Sequence, residues 1–248
     1  MKDYENLEPI KHFNSRLAGQ NVMWTGQDNE DRFTAHMANP KTAKKLIKLG
    51  WDKPNCITYS YNSHGFRTSN FTDEESGIAL GCSFTEGVGI PNHDSWPSVL
   101  SQLLNINIYN LGVGGSSIDT AFRLLDHYID KLNVKFVALC SPDKSRFEIF
   151  DQGYPVNILS GLRTKPEFII PYLKHRLAFS DDIESEINHK KNLLAMQQLC
   201  AKHNVHFIHI PVRSFTCNYA GRDLAHPGPE PHKIFADQMF KQIQEVIL

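Results

Sequence analysis

The sequence predicts an α/β fold in which a largely parallel sheet is covered by helices on both faces. From residue 77 onward, short apolar runs bounded by glycine, proline or polar residues alternate with amphipathic segments of helical period. Strands that alternate with helices are joined by crossover connections, which place successive strands parallel in one sheet. Polar or glycine-rich turns follow the first three apolar runs, at the strand ends where such sheets carry their functional residues.

Four apolar segments are predicted as strands and four amphipathic segments as helices. The strands cover residues 77–82, 106–113, 134–140 and 206–212, and the helices cover 95–105, 117–132, 183–204 and 232–247. Ser95 and Pro97 mark the start of the first helix, as an N-cap residue and a first-turn proline. Helical spacing predicts that Leu103 in the first helix and Val246 in the last both face inward.

Two stretches of the chain lie outside this pattern. Residues 1–76 form an N-terminal extension, which we expect to pack on the main domain of residues 77–248. Within it, "NPKTAKKLIKLGWD" indicates one helix with a solvated lysine face, and "YNSHGFRTSNF" indicates a turn that leads into the first strand. Residues 151–182 form an insertion that we expect near the cleft, because long connections inside compact domains are more often functional than idle.

The composition is that of an ordinary globular domain without nucleic-acid affinity. Of 248 residues, 41% are hydrophobic and 21% are charged, which is typical of soluble proteins. The net charge of −1 leaves no basic excess to neutralise phosphates, so we expect no nucleic-acid partner. The oligomeric state stays open.

Cysteine usage and the N-terminus indicate a cytoplasmic protein. The five cysteines are scattered and include no C-x-x-C pair, which favours reduced thiols over a disulfide framework or a zinc cage. The N-terminal residues lack the apolar core of a signal peptide. No apolar run approaches the ~20 residues of a membrane helix, so we expect no membrane partner.

Ser83 lies in "ALGCSFTEGVGI", directly after the first predicted strand. A serine hydroxyl becomes a nucleophile when a neighbouring base, usually histidine, removes its proton. Near the C-terminus, "RDLAHPGPEPH" supplies Asp223 and His226 three residues apart, so one tight turn can join the carboxylate to the imidazole that it orients. Pro227 and Gly228 disfavour a continuing helix and leave the pair on a loop. Taken singly, each of these residues more often has a plain structural role in a turn.

A glycine-rich turn, "NLGVGGSSI", follows the second predicted strand. Free backbone N–H groups at the start of the next helix point toward incoming negative charge, as an oxyanion hole requires. A plain strand-to-helix turn would have the same sequence. The turn indicates an oxyanion hole only when it is considered together with Ser83 and His226.

These three segments resemble the blocks of the SGNH (GDSL-type) hydrolase superfamily. The family's first block, Gly-Asp-Ser-x-(Ser/Thr)-x-Gly, is similar to residues 81–87, which makes Ser83 the nucleophile and its N–H one oxyanion donor. The second block is similar to residues 110–117 and places an oxyanion donor on Gly115. The last block, Asp-x-x-His-Pro, matches residues 223–227. The resemblance implies a flavodoxin-like three-layer α/β/α sandwich and hydrolysis of esters without a metal or cofactor.

Two residues depart from the family pattern. Cys82 replaces the aspartate before the nucleophile, a position that mostly fixes the turn. In the third block, where the family has Gly-x-Asn-Asp, this chain reads "LCSPDKSRFE", and Pro142 takes the place of the asparagine that donates to the oxyanion. Loss of one such donor costs about 10²–10³ in rate. Ser141 and Arg146 are the candidate substitute donors.

Competing site patterns fit less well. The α/β-hydrolase motif G-x-S-x-G needs a glycine where Thr85 stands, and a P-loop needs a lysine that "GCSFTEGVG" lacks. His206 and His209 would project to opposite faces of a strand, which argues against a metal site.

The sequence therefore predicts a serine-dependent ester hydrolase that acts on a small acylated substrate. It would remove acetyl or other short acyl groups from a carbohydrate or small alcohol through an acyl-enzyme. Two alternatives stay open: transfer of the acyl group to a sugar hydroxyl, and a non-catalytic binding protein that keeps the fold, which Pro142 motivates. The N-terminal extension either walls the alcohol side of the cleft or only covers one edge of the sheet.

Overall fold

The computed structural model describes residues 7–151, 154–158 and 182–247. It confirms the predicted α/β class, with a central parallel sheet between two layers of helices. Most of the predicted insertion at residues 151–182 lies outside the described residues.

The described residues form the following strands and helices. In chain order they are β1 (Asn21–Val22), α1 (Glu30–Ala38), α2 (Pro40–Leu49), β2 (Tyr59–Ser60), β3 (Ser76–Gly81), α3 (Ser83–Glu86), α4 (Trp96–Leu104), β4 (Asn107–Asn110), α5 (Ile118–Tyr128), β5 (Val134–Ser141), β6 (Phe147–Asp151), β7 (Tyr154–Ile158), α6 (Asp182–Lys202), β8 (His206–Pro211) and α7 (Pro229–Ile247). The four predicted strands correspond to β3, β4, β5 and β8, and the four predicted helices to α4, α5, α6 and α7.

The central sheet has the strand order β4-β3-β5-β8, and all neighbouring strands are parallel. The first of these strands in the sequence, β3, lies between the second and the third, which is the order of a flavodoxin-like sheet. The chain therefore winds to opposite sides of β3, and a crevice opens beyond the carboxyl ends of β3 and β5. Every residue of β3 is buried, as expected for a parallel strand covered on both faces.

The two faces of the sheet bury different side chains because alternate strand residues point to opposite sides. On one face, α5 and α6 pack on the sheet with Ile78, Leu80, Val137, Leu139, Leu124, Leu125, Met196 and Cys200. On the other face, α4 and α7 pack with Ala79, Phe136, Ala138, Ile208, Trp96, Leu100, Phe235 and Met239. Because helices cover both faces of the sheet, polar side chains can come together only at the ends of its strands.

Two residues predicted to face inward do not. The side chain of Leu103 is 42% exposed and that of Val246 is 50% exposed. Each lies in the last turn of its helix, beyond the last fully buried residue, Leu100 in α4 and Ile243 in α7. Helical spacing predicts a direction but not where the covering surface ends.

The N-terminal region has its own apolar cluster, built from α1, α2 and β2. Its buried members are Phe33, Leu46, Trp51, Ile57, Tyr59 and Tyr61. Leu224, from the loop before α7, packs against this cluster. The Trp51 indole donates to the carbonyl oxygen of Ala220 at 2.8 Å, so the N-terminal region contacts the loop that carries Asp223 and His226.

An antiparallel hairpin of β6 and β7 follows the central strand β5. It rests on α5, where the Arg123 guanidinium donates two hydrogen bonds of 2.8 Å to the buried carboxylate of Glu148. The sequence pattern did not predict this hairpin. Across the described ranges, none of the helices combines the length and apolar character needed to traverse a lipid bilayer.

Candidate active site

The turn after β3 places Ser83 at the carboxyl edge of the sheet. Gly81 has a φ of +151°, and a Cβ there would lie 2.6 Å from the carbonyl oxygen of Cys140, so the turn requires glycine. Cys82 is fully buried and has the extended backbone of an N-cap residue. Ser83 is therefore the first residue of α3, where a backbone amide has no acceptor within the helix.

Asp223 and His226 form a hydrogen-bonded pair in the loop before α7. The imidazole Nδ1 lies 2.6 Å from Asp223 Oδ2, and Asp223 Oδ1 accepts the backbone amides of Ala225 and His226 at 3.0 Å each. Leu224 takes a left-handed conformation, with φ of +51°, which closes the turn between the two side chains. Burial raises the pKa of the Asp223 carboxyl, but the hydrogen bond and charge of His226 outweigh it, so the pKa lies below its ordinary value.

Ser83 and His226 line one cleft, which has a volume of about 340 Å³. Gly115 lies in the wall of the same cleft, and Asp223 is buried behind the imidazole. The Phe84 ring stands edge-on to the His226 ring, with 5.7 Å between their centroids. Because Asp223 occupies Nδ1, the Nε2 atom is the ring nitrogen left to face a substrate or a nucleophile.

The loop after β4 is held against α3, the helix that begins at Ser83. Asn110 Oδ1 accepts the amide of Gly112 at 3.0 Å, and its Nδ2 donates to the carbonyl oxygen of Thr85 at 2.8 Å. A Cβ on Gly112 would lie 2.6 Å from the amide nitrogen of Glu86, so glycine allows this close approach. Gly115, with φ of +77°, turns the chain at the cleft before α5 begins.

Of the two candidate substitutes for the missing asparagine, Arg146 lines the cleft and Ser141 lies elsewhere. The Ser141 hydroxyl is 2.8 Å from His209 Nε2 and lines a second pocket of about 370 Å³. Asp143, beside Pro142, lines that second pocket too, so its charge does not face the cleft of Ser83. Ser83, Gly115, Arg146 and His226 are thus brought together, and their catalytic roles stay predictions.

The block pattern did not identify several residues of this cleft. Phe13, Asn14, Thr25 and Gln27 from the N-terminal region line it. Glu86 lines it too, inside the first block, where the family pattern assigns it no role. Glu86 is the one acidic residue in "ALGCSFTEGVGI", which was an available signal, whereas Asn14 has no local signal at all.

A buried ion pair joins the N-terminal region to the loop of the Asp–His pair. Arg222 precedes Asp223 and bonds Asp28 through Nε at 3.0 Å and Nη2 at 2.7 Å. Its guanidinium lies 4.1 Å over the Trp24 ring. The Tyr59 hydroxyl donates to Asp28 and accepts the Gly89 amide at 2.8 Å, so the network reaches the segment after α3.

Within the part of the chain that the structure describes, no three His, Cys, Asp or Glu side chains are grouped so that they could hold a metal ion. The cleft offers a hydroxyl, an imidazole backed by a carboxylate, a guanidinium and backbone amides.

Neither protein-family models nor curated proteins match this chain. Solved structures do. The psychrotrophic esterase EstA from Pseudoalteromonas sp. is 16% identical with a TM-score of 0.37, over 68% of this chain and 97% of that chain. A family two carbohydrate esterase from Cellvibrio japonicus is 12% identical with a TM-score of 0.39, over 71% of this chain and 62% of that chain. A member of the lipolytic protein G-D-S-L family from Veillonella parvula is 13% identical with a TM-score of 0.31, over 70% and 98%.

By their names these proteins are lipolytic proteins and esterases, the kind of hydrolase that the sequence blocks resemble. Their TM-scores with this chain all lie below 0.5.

Proposed function

We propose that this chain is a serine-dependent ester hydrolase of the SGNH (GDSL) type. The observation that carries the proposal is the cleft lined by both Ser83 and His226, with Asp223 bonded to the imidazole Nδ1 at 2.6 Å. The two side chains lie more than 140 residues apart in the sequence, and only the fold brings them to one cavity. A hydroxyl, an imidazole and a carboxylate in this order are the groups that acyl transfer through serine requires.

In the acylation step, the Ser83 hydroxyl attacks the carbonyl carbon of the ester. His226 Nε2 takes the hydroxyl proton and returns it to the leaving alkoxide, which departs as the free alcohol. Asp223 keeps the proton of Nδ1 in place and stabilises the imidazolium that forms. In the second step, His226 removes a proton from water, and the resulting hydroxide attacks the carbonyl carbon of the acyl-serine. The bond between this carbon and Ser83 Oγ then breaks, the imidazolium returns its proton to Oγ, and the free acid leaves.

The tetrahedral oxyanion would be held by the amides of Ser83 and Gly115. Both line the cleft, and the Ser83 amide lies at the start of α3, where it needs no intrahelical acceptor. Arg146 is our proposed substitute for the asparagine that Pro142 replaces, because its side chain lines the same cleft. A guanidinium supplies donors and a permanent positive charge to a developing oxyanion.

We infer that the acyl group is short and that the alcohol is a carbohydrate or another small polyol. A volume of about 340 Å³ is near the lower end of ligand pockets. Asn14, Thr25 and Gln27 provide hydrogen-bonding groups, and the rings of Phe13 and Phe84 provide apolar faces. This mixture suits a small polar alcohol better than a long acyl chain.

The test measures hydrolysis of p-nitrophenyl acetate, butyrate and octanoate, and of peracetylated sugars, with labelling by a fluorophosphonate. We expect turnover of the short esters by the wild-type protein and stoichiometric labelling of Ser83. Ser83→Ala should lose both, whereas Ser63→Ala, at an exposed serine away from the cleft, should retain both. Retention of hydrolysis and labelling by Ser83→Ala would falsify the mechanism.

The same assays separate the two alternatives. If a sugar acceptor is added and an acylated sugar accumulates in place of free acid, the chain is an acyltransferase. If the wild-type protein is neither labelled nor active on any of these esters, it is a binding protein that keeps only the fold.

A further inference from the structure

Glu86 is a carboxylate buried between the N-terminal region and the loop that carries Gly115. Its side chain is 1% exposed. Oε1 accepts the Tyr61 hydroxyl at 2.8 Å and the Asn14 side-chain amide at 3.0 Å. Oε2 accepts the backbone amide of Gly114 at 2.6 Å. All three hydrogen-bond partners are donors, and they come from segments far apart in the sequence.

These donors favour the ionised form of Glu86. The Gly114 amide and the Asn14 side-chain nitrogen can only donate, so both carboxyl oxygens must accept. Burial holds the pKa of Glu86 above its ordinary value, and the hydrogen bond from Tyr61, the charge of Arg67 and the Gly114 amide limit that increase. Hydrogen bonds to an ionised acceptor are roughly twice as strong as neutral ones.

The short bond to Gly114 fixes the backbone next to a proposed oxyanion donor. The Gly114 amide belongs to the peptide plane of Val113 and Gly114, so its bond to Glu86 holds the chain one peptide before the plane that carries the Gly115 amide. On the other side of the loop, the Gly112 backbone lies against the amide of Glu86 itself. The loop is thus held at Gly112 by the backbone of α3 and at Gly114 by the Glu86 side chain.

We propose that Glu86 is a positioning residue that fixes the oxyanion loop through the Gly114 amide and ties this loop to the N-terminal region through Asn14 and Tyr61. The inference rests on the proposed function, because it assigns to Glu86 an effect on the step that Ser83 and Gly115 carry out. Glu86 acts through the loop and does not itself react. Loss of the acceptor for the Gly114 amide would loosen the loop that carries the Gly115 amide.

Two substitutions of Glu86 weaken or remove the acceptor for the Gly114 amide. Glu86→Gln keeps one oxygen for the Gly114 amide but replaces a charged acceptor with a neutral one, and we expect kcat to fall about 10-fold. Glu86→Leu removes the acceptor, and we expect kcat to fall about 10²-fold or more, as when one oxyanion donor is lost. We expect a smaller change in KM than in kcat in both variants, because Glu86 holds only Asn14 of the proposed alcohol-binding wall, while Thr25 and Gln27 are not bonded to it.

Tyr109→Phe is the matched control for stability. Its hydroxyl is a buried hydrogen-bond partner of Thr72, at 2.8 Å from the Thr72 amide, and it does not line the cleft. We expect this variant to unfold at a lower temperature with kcat within twofold of the wild type. A fall in kcat for Glu86→Gln that exceeds the fall for Tyr109→Phe therefore reports positioning rather than general destabilisation.

Hydrogen exchange of the amides at residues 112–116 gives a readout that is independent of turnover. We expect faster exchange in Glu86→Gln than in the wild type or in Tyr109→Phe. Wild-type kcat in Glu86→Gln, or equal exchange in all three proteins, would overturn the assignment even when Ser83 is the nucleophile. If Glu86→Leu does not fold, Glu86→Gln decides the matter alone. Hydrolysis that persists in Ser83→Ala instead overturns the proposed function itself.

Discussion

Asp223 illustrates how much a single side chain decides at this site. One oxygen holds the backbone of its own turn, and the other holds the imidazole in the orientation that leaves Nε2 free. A left-handed backbone is unusual for a bulky residue such as Leu224, whose side chain packs against the apolar cluster of the N-terminal region. Position and tautomer of His226 thus depend on the same carboxylate.

Asp223→Asn should lower kcat by roughly 10³–10⁴-fold, because an amide can present its NH₂ group to Nδ1 and stabilise the wrong tautomer. Steady-state hydrolysis of a short p-nitrophenyl ester measures this. Asp143→Asn is the matched control, since Asp143 lines the second pocket, and it should leave kcat within threefold. Equal losses in both variants would contradict the role of Asp223.

We expect different effects on kcat from substitutions of Arg146 and Ser141, the two candidates to replace the asparagine of the family pattern. Arg146→Ala should lower kcat by about 10²-fold with little change in KM, because it removes an oxyanion donor from the cleft. Ser141→Ala should change kcat little, since its hydroxyl is engaged with His209 in the second pocket. The reverse pattern in steady-state kinetics would show that Ser141 is the substitute.

At the scale of elements, the N-terminal region does more than cover part of the main domain, because it bonds directly to the loop that carries Asp223 and His226. The Asp28–Arg222 pair is buried and bridges the segment before α1 to the loop before α7. The hydrogen bond between the Tyr59 hydroxyl and the Gly89 amide extends this network to the segment that follows α3. We therefore propose that residues 7–76 belong to the active-site architecture rather than forming a separable appendage.

Arg222→Ala should lower the free energy of unfolding by about 3–5 kcal/mol, because it leaves the Asp28 carboxylate buried without its partner. Denaturant unfolding measures the change. Lys135→Ala is the control: the Lys135–Glu75 pair is also close, at 3.2 Å, but both side chains are largely exposed, so the loss should stay below about 1 kcal/mol. Similar losses of unfolding free energy in the two variants would show that the buried ion pair stabilises the fold no more than the exposed one.

At the scale of the whole molecule, buried neutral histidines link stability to pH. Burial lowers the pKa of His12 and of His209 to about 4 and that of His232 to about 3. In the unfolded chain these groups take up protons below their ordinary pKa of about 6.5, while the folded protein keeps them neutral. Their contribution to stability is therefore fully present above pH 6.5 and is lost as the pH falls toward 4 and 3.

His232→Asn should reduce this acid sensitivity. His232 Nδ1 accepts the Trp96 amide at 3.1 Å, and an asparagine oxygen can accept the same bond without titrating. The decrease in unfolding free energy between pH 6 and pH 4.5 should be smaller by roughly 1.4 kcal/mol per pH unit than in the wild type. His93→Asn, at an exposed histidine, should keep the wild-type slope. An unchanged slope in His232→Asn would assign the sensitivity to other groups.

Local patterns in the sequence were sufficient for the sheet, the four main helices and the Asp–His turn. The length and breakers of each apolar run determine a buried strand, and three-residue spacing between Asp223 and His226 needs only one turn. The β6–β7 hairpin and the cleft wall at Asn14 were not predicted. The two strands of the hairpin are separated by only two residues, so its pairing is local and the pattern of apolar runs overlooked it. The wall at Asn14 has no local signal, because it depends on Glu86, 72 residues away in the sequence.

By itself, the sequence determined the class of fold, the strand ends that carry polar groups, and the three residues proposed for catalysis. Only the tertiary structure decided that Arg146 rather than Ser141 reaches the cleft, that Glu86 holds the Gly114 amide, and that Arg222 ties the loop of Asp223 and His226 to the N-terminal region. The physical reason is range: strand and turn preferences act over a few neighbouring residues. Burial and hydrogen bonding select partners only after the chain has folded and brought distant groups together.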